Sequence, residues 1–531
     1  MRKQWKTLAL AGAGMLLMSQ MSIAATQVKN VILMIGDGMG PQQVGLLESY
    51  AQLAPQQQIY QDRQSFMAKL AAQGKMGSSM TYPDNALVVD SACSATQLAL
   101  GRMAPSEVIG LDAEGNPQET VLEKAKRLGK ATGLVSDTRL THATPASFAA
   151  HQPHRSLENE IAVDMLTTGV DVMLSGGIRH FIPKSTNDKG EVYQQLEALT
   201  QGSVKLKSKR KDERNLITEA QQQGYQLAFN RNQLAATGDG KVLGLFAYSG
   251  MMDGIRYTKA KEDAARTEPT LKEMTEKALS LLEKDEDGFF LMVEGGQIDW
   301  AGHNNDAGTM LHEMLKFDEA IGAVHAWAQG REDTLIIVTA DHETGSFGFS
   351  YSAADIPAPS KLPGSGFANQ DFAPAFNFGG LAILDRLYAQ SLSFQDMMDS
   401  FRALEQSEQT PAKLAEIINA ASEFKVTEEQ AAKVLVMTPN PYRHEGHGYL
   451  DVEEIPKIDD FQAFYVYPDE IHLDLIGRQM AEQQNVVWGT GTHTHTPVQV
   501  VAWGPADLTE PLSAMVHHRD VGALMMQALG D

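Results

Sequence analysis

The sequence predicts an α/β protein: a doubly wound α/β/α sandwich around a central, mostly parallel sheet. Three observations carry this. The apolar runs are continuous rather than alternating, they recur along the chain, and stretches of helical periodicity separate them. A strand that is apolar at every position has both faces covered, and helices returning between such strands are what cover them. The first run, residues 28–35, empties into Gly36-Asp37-Gly38-Met39-Gly40, a strand ending in a tight turn. Further buried strands are expected at 133–136, 170–174, 242–248, 289–293, 334–339 and 498–503, with helices at 271–284 and 310–328. A small-residue helix is expected to open at Ser91, after the apolar Leu87-Val88-Val89, and to run to Leu100. From 378 to 436 the texture turns purely helical. Thr410-Pro411 reads as an N-cap with proline at the first helical position, and Thr427-Glu428-Glu429-Gln430 as a capping box. These three or four short helices are expected as an insertion into the α/β frame, away from the cation-binding positions. Their apolar residues, including Leu381, Leu387, Met397 and Phe401, point to a role in subunit contact or in access to the site.

Composition narrows the function classes. With 531 residues, 43% of them hydrophobic, the chain can bury a large core. Its 67 acidic against 44 basic residues give a net charge of −23, which disfavours nucleic acid as a partner. The one basic run, from Lys205 to Lys211, is expected to be a solvated loop. Residues 1–24 read as a secretory signal: Arg2, Lys3 and Lys6 precede an apolar stretch, and Ser22-Ile23-Ala24 offers small residues before a cleavage point. Residues 25–531 are then expected as one exported catalytic domain, periplasmic or extracellular, without a membrane anchor. Cys93 is the sole cysteine, so no intramolecular disulfide is available. It reads as a small buried helix residue rather than a nucleophile.

The chemistry lies in separated motifs at strand ends. Four strands are expected to finish in carboxylates: Asp37, Asp137, Glu294 and Asp341. Ligands collect beyond the carboxyl ends of such strands, and several acids at one edge suit cations. Asp299 and His303 stand four apart, so on a helix they share a face and can grip one metal. Asp341 and His342 are adjacent at another strand end, and His493 and His495 precede the last long strand. Mixed histidine and carboxylate ligands suit zinc, whereas an all-oxygen subset suits magnesium. Ser91, at a helix start, is where backbone N–H groups and the positive end of the helix dipole meet an anion. Two metals beside such a serine form a phosphoryl-transfer device. His444-Glu445-Gly446-His447 is expected to be a polar loop.

These motifs, in this order and spacing, resemble those of the bacterial alkaline phosphatases over nearly the whole mature chain apart from the helical insert. Gly176-Gly177-Ile178-Arg179-His180-Phe181 and the stretch from Arg210 to Leu216 add to the likeness. The resemblance implies hydrolysis of small phosphate monoesters through a phosphoserine on Ser91, with two Zn2+ and one Mg2+. By the same resemblance Arg155 forks two phosphate oxygens. One zinc takes Asp299, His303 and His493; the other takes Asp37, Asp341 and His342; magnesium takes Asp37, Thr144 and Glu294. His493 is assigned over His495 because its offsets from Trp488 and from Val498 match the family's. His142 and Trp300 stand where some members carry Asp and Lys that hold magnesium waters and phosphate, so they are expected to bind substrate, and the third metal's identity stays open. A homodimer is implied as well. The alternatives are a phosphodiesterase, sulfatase or phosphomutase of the same superfamily, or an inactive, metal-stabilised binding protein.

Overall fold

The structure, a computed structural model, describes residues 27–530; the signal-like segment at 1–24 lies outside the described residues. Ten strands form one sheet: β1 (Asn30–Gly36), β2 (Lys75–Met80), β3 (Ala131–Arg139), β4 (Val172–Gly176), β5 (Gln226–Ala228), β6 (Val242–Leu245), β7 (Phe289–Gly295), β8 (Thr334–Ala340), β9 (Val498–Trp503) and β10 (Met515–His517). Their order is β10-β2-β9-β8-β1-β7-β3-β4-β6-β5. β9 runs antiparallel to β2 and β8, and the other pairings in the sheet are parallel. This is the doubly wound, mostly parallel plan read from the sequence. The strands that escaped that reading are β2, β5 and β10. β2 is the glycine- and serine-containing Lys75-Met76-Gly77-Ser78-Ser79-Met80, largely half-exposed, while β5 and β10 have three residues each, so none carries a continuous apolar run.

β1 shows why its run is unbroken. Ile32 and Met34 enter the core on one face, with helices Pro41–Leu53, Leu271–Leu282 and Ala307–Ala328. Val31, Leu33 and Ile35 enter the core on the other, with helices Ser91–Leu100, Val121–Arg127 and His518–Leu529. Each such side chain contributes about 1.5–3 kcal/mol by burial, so neither face tolerates a polar residue. β1 lies between β8 and β7 in register, Gly36 opposite both Ala340 and Gly295. The carboxyl ends of these three central strands therefore finish side by side, and the residues just beyond them share one crevice.

The helical stretch comprises Ala382–Tyr388, Phe394–Arg402, Pro411–Ala421 and Glu428–Val434. Leu384, Leu387, Met397, Met398 and Phe401 join the core that contains Ala307–Ala328 and Ile471–Gln484. Their apolar faces are thus covered within the chain and need no second subunit; Leu381 remains exposed. Asp306, the N-cap of Ala307–Ala328, pins the stretch by accepting hydrogen bonds from Gln390 Nε2 and from the Phe394 N–H, at 2.9 and 2.8 Å. The basic run departs from its reading as a wholly solvated loop. Its lysines are exposed, but Arg210 is buried, pairing with Asp212 and donating to the carbonyls of Asn159 and His180.

Candidate active site

Asp37 follows β1, Glu294 closes β7 and Asp341 follows β8, so the sheet register alone gathers three carboxylates. The turn at Gly38 needs glycine twice over. Its φ is +72°, and a Cβ there would meet the Cα of Asp299 at 2.6 Å. That close approach brings helix Gln297–His303 onto the end of β1. On it Asp299 Oδ1 and His303 Nε2 lie 3.3 Å apart, as their four-residue spacing requires. Antiparallel pairing of His493–Thr494 with Glu343–Thr344 sets His493 directly across from Thr344 and beside Asp341-His342. The rings of His342 and His493 stack with centroids 3.6 Å apart.

The ring tautomers follow from the carbonyls around them. His303 Nδ1 lies 2.7 Å from Gly491 O, and His493 Nδ1 lies 2.8 Å from Val89 O, so each Nδ1–H donates outward. Their Nε2 lone pairs then converge, 3.2 Å apart, on Asp299. His342 Nε2 lies 3.1 Å from Asp341 Oδ2, 3.4 Å from Asp37 Oδ1 and 3.1 Å from Ser91 Oγ. Among the described residues three groups could each hold a metal ion: Asp299, His342 and His493; Asp37, Asp341 and His342; and Asp37, His142 and Glu294. Both Asp37 oxygens, Glu294 Oε1, Asp341 Oδ2, His142 Nδ1 and Thr144 Oγ1 are buried without a hydrogen-bond partner. Buried oxygens of one charge with no donors are costly unless a cation meets them, so the residues present fit divalent metal ions.

The electrostatics agree with that fit. Burial, then the neighbouring Asp341, Asp299 and Glu294, holds Asp37 well above the usual carboxylate range. Burial pushes Glu294 up to about 8. Burial alone would depress His303, but the Asp299 carboxylate overrides it and lifts the imidazole to about 10. The pair therefore favours a positive charge between them, whether a proton or a metal ion. Burial, then His342, lowers His493 to about 3, and burial with Arg139 and Arg155 keeps His142 neutral; both suit a metal ligand.

Ser91 opens helix Ser91–Leu100. Its N-cap, Asp90, accepts from the N–H groups of Ala92 and Cys93 and from Glu107 N–H, and pairs with Arg155 Nη1 at 3.0 Å. Arg155 Nη2 lies 3.3 Å from His142 Nε2, whose ring meets Trp300 edge-on at 6.2 Å. Asp90 thus fixes the helix start and the guanidinium side by side. Asp137, the fourth strand-end acid, is not in the cluster: it is neutralised by Lys316 Nζ at 2.8 Å and accepts from Gly296 N–H. His495 turns outward, with Nδ1 2.5 Å from Leu87 O. The Cys93 thiol is buried on Ala104 O, and burial raises its pKa. His447 spends Nδ1 accepting from the N–H groups of Tyr449 and Leu450, in an exposed loop. Sequence reasoning missed Tyr467, packed edge-on against His303 at 5.3 Å, and Glu470, 3.9 Å from His303 Nδ1. Both precede an ordinary helix at no ligand-like spacing, so nothing local marks them.

A doubly wound sheet whose central strand ends gather carboxylates and histidines around a helix-start serine defines a class, the α/β proteins with a candidate metal centre at the sheet edge. Within that class the chain belongs to the alkaline phosphatase family, whose family model matches residues 28–462. It is 39% identical to "Alkaline phosphatase 3" of Bacillus subtilis (strain 168) over 331 residues, 60% of this chain and 62% of that protein. It is 37% identical to the "Repressible alkaline phosphatase" of Saccharomyces cerevisiae over 344 residues, 61% of this chain and 56% of that one. The match thus spans about three-fifths of the length of these curated relatives. Among solved structures it resembles Thermus thermophilus alkaline phosphatase (TM-score 0.72, 25% identity, 96% of this chain and 92% of that chain). It also resembles the cold-active alkaline phosphatase of a psychrophilic Shewanella (TM-score 0.66, 26% identity, 94% and 100%).

Proposed function

We propose that this chain hydrolyses phosphate monoesters to an alcohol and inorganic phosphate through a phosphoserine on Ser91. The observation that carries the reading is the position of Ser91 Oγ. It sits 3.1 Å from His342 Nε2, at a helix start, where unpartnered carboxylate oxygens converge. The ligand sets are Asp299, His303 and His493 for one zinc, Asp37, Asp341 and His342 for a second, and Asp37, Thr144 and Glu294 for magnesium. His142 is a further candidate ligand, since it groups with Asp37 and Glu294. Bound there, the ions supply positive charge that acidifies serine and water and neutralises the leaving oxygen.

The chain's own residues do the rest. Arg155, oriented by Asp90, forks two oxygens of the phosphoryl group. The Ser91 N–H and the positive end of its helix face a third. Ser91 Oγ attacks phosphorus as the bond to the alcohol oxygen breaks, and the alcohol departs with a proton. Water then cleaves the phosphoserine, returning Ser91 and releasing phosphate. His142 borders Arg155, and Trp300 stands edge-on to His142, so the two are assigned to shaping the space for the phosphoryl oxygens. Export and a homodimeric state belong to the same reading. The signal-like pattern at 1–24 supports the first, and the exposed aromatic group Tyr351, Phe376 and Phe378 supports the second. Among the described residues no helix is long and apolar enough to cross a membrane.

The test is turnover by the purified chain, with zinc and magnesium, of 4-nitrophenyl phosphate, its diester analogue and 4-nitrophenyl sulfate. The monoester is expected to dominate, with labelled phosphate trapped on Ser91 and none trapped in Ser91→Ala. Preference for diester or sulfate, or label on Ser94, overturns the assignment.

A further inference from the structure

We propose that the Thr344 hydroxyl is a positioning group shared by the two zinc-ligand sets, orienting Asp299 in one and fixing the ring tautomer of His342 in the other; this rests on the zinc sets of the monoesterase reading above. Thr344 is fully buried, and its Oγ1 touches one ligand from each set. It donates to Asp299 Oδ1 at 2.5 Å, and His342 Nδ1 lies 3.3 Å from it. A hydroxyl has one proton and two lone pairs, whereas a carboxylate only accepts. The proton therefore goes to Asp299, and what Oγ1 has left for His342 is a lone pair. His342 Nδ1 then carries its hydrogen toward Thr344, and the lone pair of the neutral ring falls on Nε2. That nitrogen faces Asp341 Oδ2 and Ser91 Oγ, each 3.1 Å away, and Asp37 Oδ1 at 3.4 Å. A lone pair turned on carboxylate oxygens is repelled unless a cation lies among them. The tautomer that Thr344 selects is thus the metal-binding one. On the other side, Asp299 Oδ1 also faces His303 Nε2 at 3.3 Å and His493 Nε2 at 3.6 Å. The hydroxyl takes one lone pair of that oxygen and stops the carboxylate from rotating away from the two imidazoles.

Thr344 itself is held from both ends. Its backbone pairs with His493, and its carbonyl accepts from Gln43 Nε2 at 2.8 Å. A Cβ at Gly38 would come within 2.9 Å of Oγ1, and a Cβ at Gly302 within 3.1 Å of the methyl carbon. The hydroxyl therefore stands against the turn that carries Asp37, and the methyl against the helix that carries Asp299 and His303. Valine keeps the second contact and loses the hydroxyl; serine keeps the hydroxyl and loses the methyl.

The experiment loads the parent chain, Thr344→Val and Thr344→Ser with zinc and measures the dissociation constants of both ions by competition with a chelator, without substrate. Losing an outer hydrogen-bond partner weakens a metal site by about 10–100-fold. Thr344→Val is expected to weaken both zincs by that order, and Thr344→Ser to hold them nearly as the parent does. Should the valine variant fail to fold, Thr344→Ala against Thr344→Ser isolates the hydroxyl again. Parent-like zinc binding in Thr344→Val with weakened binding in Thr344→Ser assigns the residue to packing and overturns the proposal. Weakening confined to one zinc overturns the sharing. A parent chain that holds both zincs yet hydrolyses no monoester overturns the monoesterase reading and leaves the Thr344 comparison to be decided by zinc binding alone.

Discussion

Arg155 and the two C-terminal histidines show how much a single neighbour decides. Arg155 is positioned by Asp90, the same residue that caps the Ser91 helix, so the phosphate clamp and the nucleophile share one anchor. Removing the guanidinium deletes charge-assisted bonds worth about 1.5–3 kcal/mol. Arg155→Ala is accordingly expected to raise the inhibition constant of inorganic phosphate by about 10–150-fold while zinc content stays unchanged, as read by competitive inhibition and elemental analysis. His493 and His495 make the converse case. Two residues apart on an extended segment, their rings differ in surroundings: His493 stacks on His342 in the cluster, and His495 sits outside it, near Tyr82. His493→Ala is expected to lose one zinc and nearly all turnover, and His495→Ala to keep the metals. Metal stoichiometry on the two variants checks this, and the reverse pattern would move the ligand to His495.

Among elements, helix Ala307–Ala328 does most to hold the site's floor. It buries polar residues as well as apolar ones, because the sheet lies on one side and the inserted helices on the other. Lys316, 2% exposed, reaches from it to Asp137 near the end of β3 and to Glu313 one turn back. Asp137 in turn receives the Gly296 N–H, so this ion pair steadies the turn between Glu294 and Asp299. Breaking a buried pair by deleting one partner costs about 3–5 kcal/mol, because the abandoned charge stays buried. Lys316→Met is therefore expected to lower stability by that order and to weaken metal retention, although Lys316 touches no ligand. Denaturant titration together with dialysis against a chelator measures both.

The molecule as a whole stores like charge at its centre. Glu294 ionises near 4.5 when exposed but only near 8 in the folded chain, chiefly because it is buried and then because Asp137 and Asp341 are close. A carboxyl whose folded pKa is raised binds more protons folded than unfolded between those two values. Its contribution is full below about pH 4.5 and is lost as pH rises through about 8. In the metal-free chain, Glu294→Gln is expected to remove this one contribution, so that the change in melting temperature between pH 5.5 and pH 8 shifts upward relative to the parent chain. Calorimetry of both chains at the two pH values checks the sign; an unchanged difference would contradict it.

The sequence by itself determined the sheet and the chemistry at its edge. Continuous apolar runs require a doubly covered strand, and an acid just past such a run has nowhere to go except the crevice, as with Asp37, Glu294 and Asp341. The spacing of Asp299 and His303 likewise follows from helix geometry alone. Tertiary structure decided what depends on partners remote in the chain. Asp137 reads like the other strand-end acids until Lys316, 179 residues on, neutralises it. The apolar faces of the inserted helices signal a need for burial without saying against what, and the fold answers from within the same chain. Tyr467 and Glu470 carry no local signature, because their place beside His303 comes from where the segment before Ile471–Gln484 packs. Periodicity and spacing report on a residue's own element; a charge or a ring acquires its role from whatever long-range packing sets within a few ångströms of it.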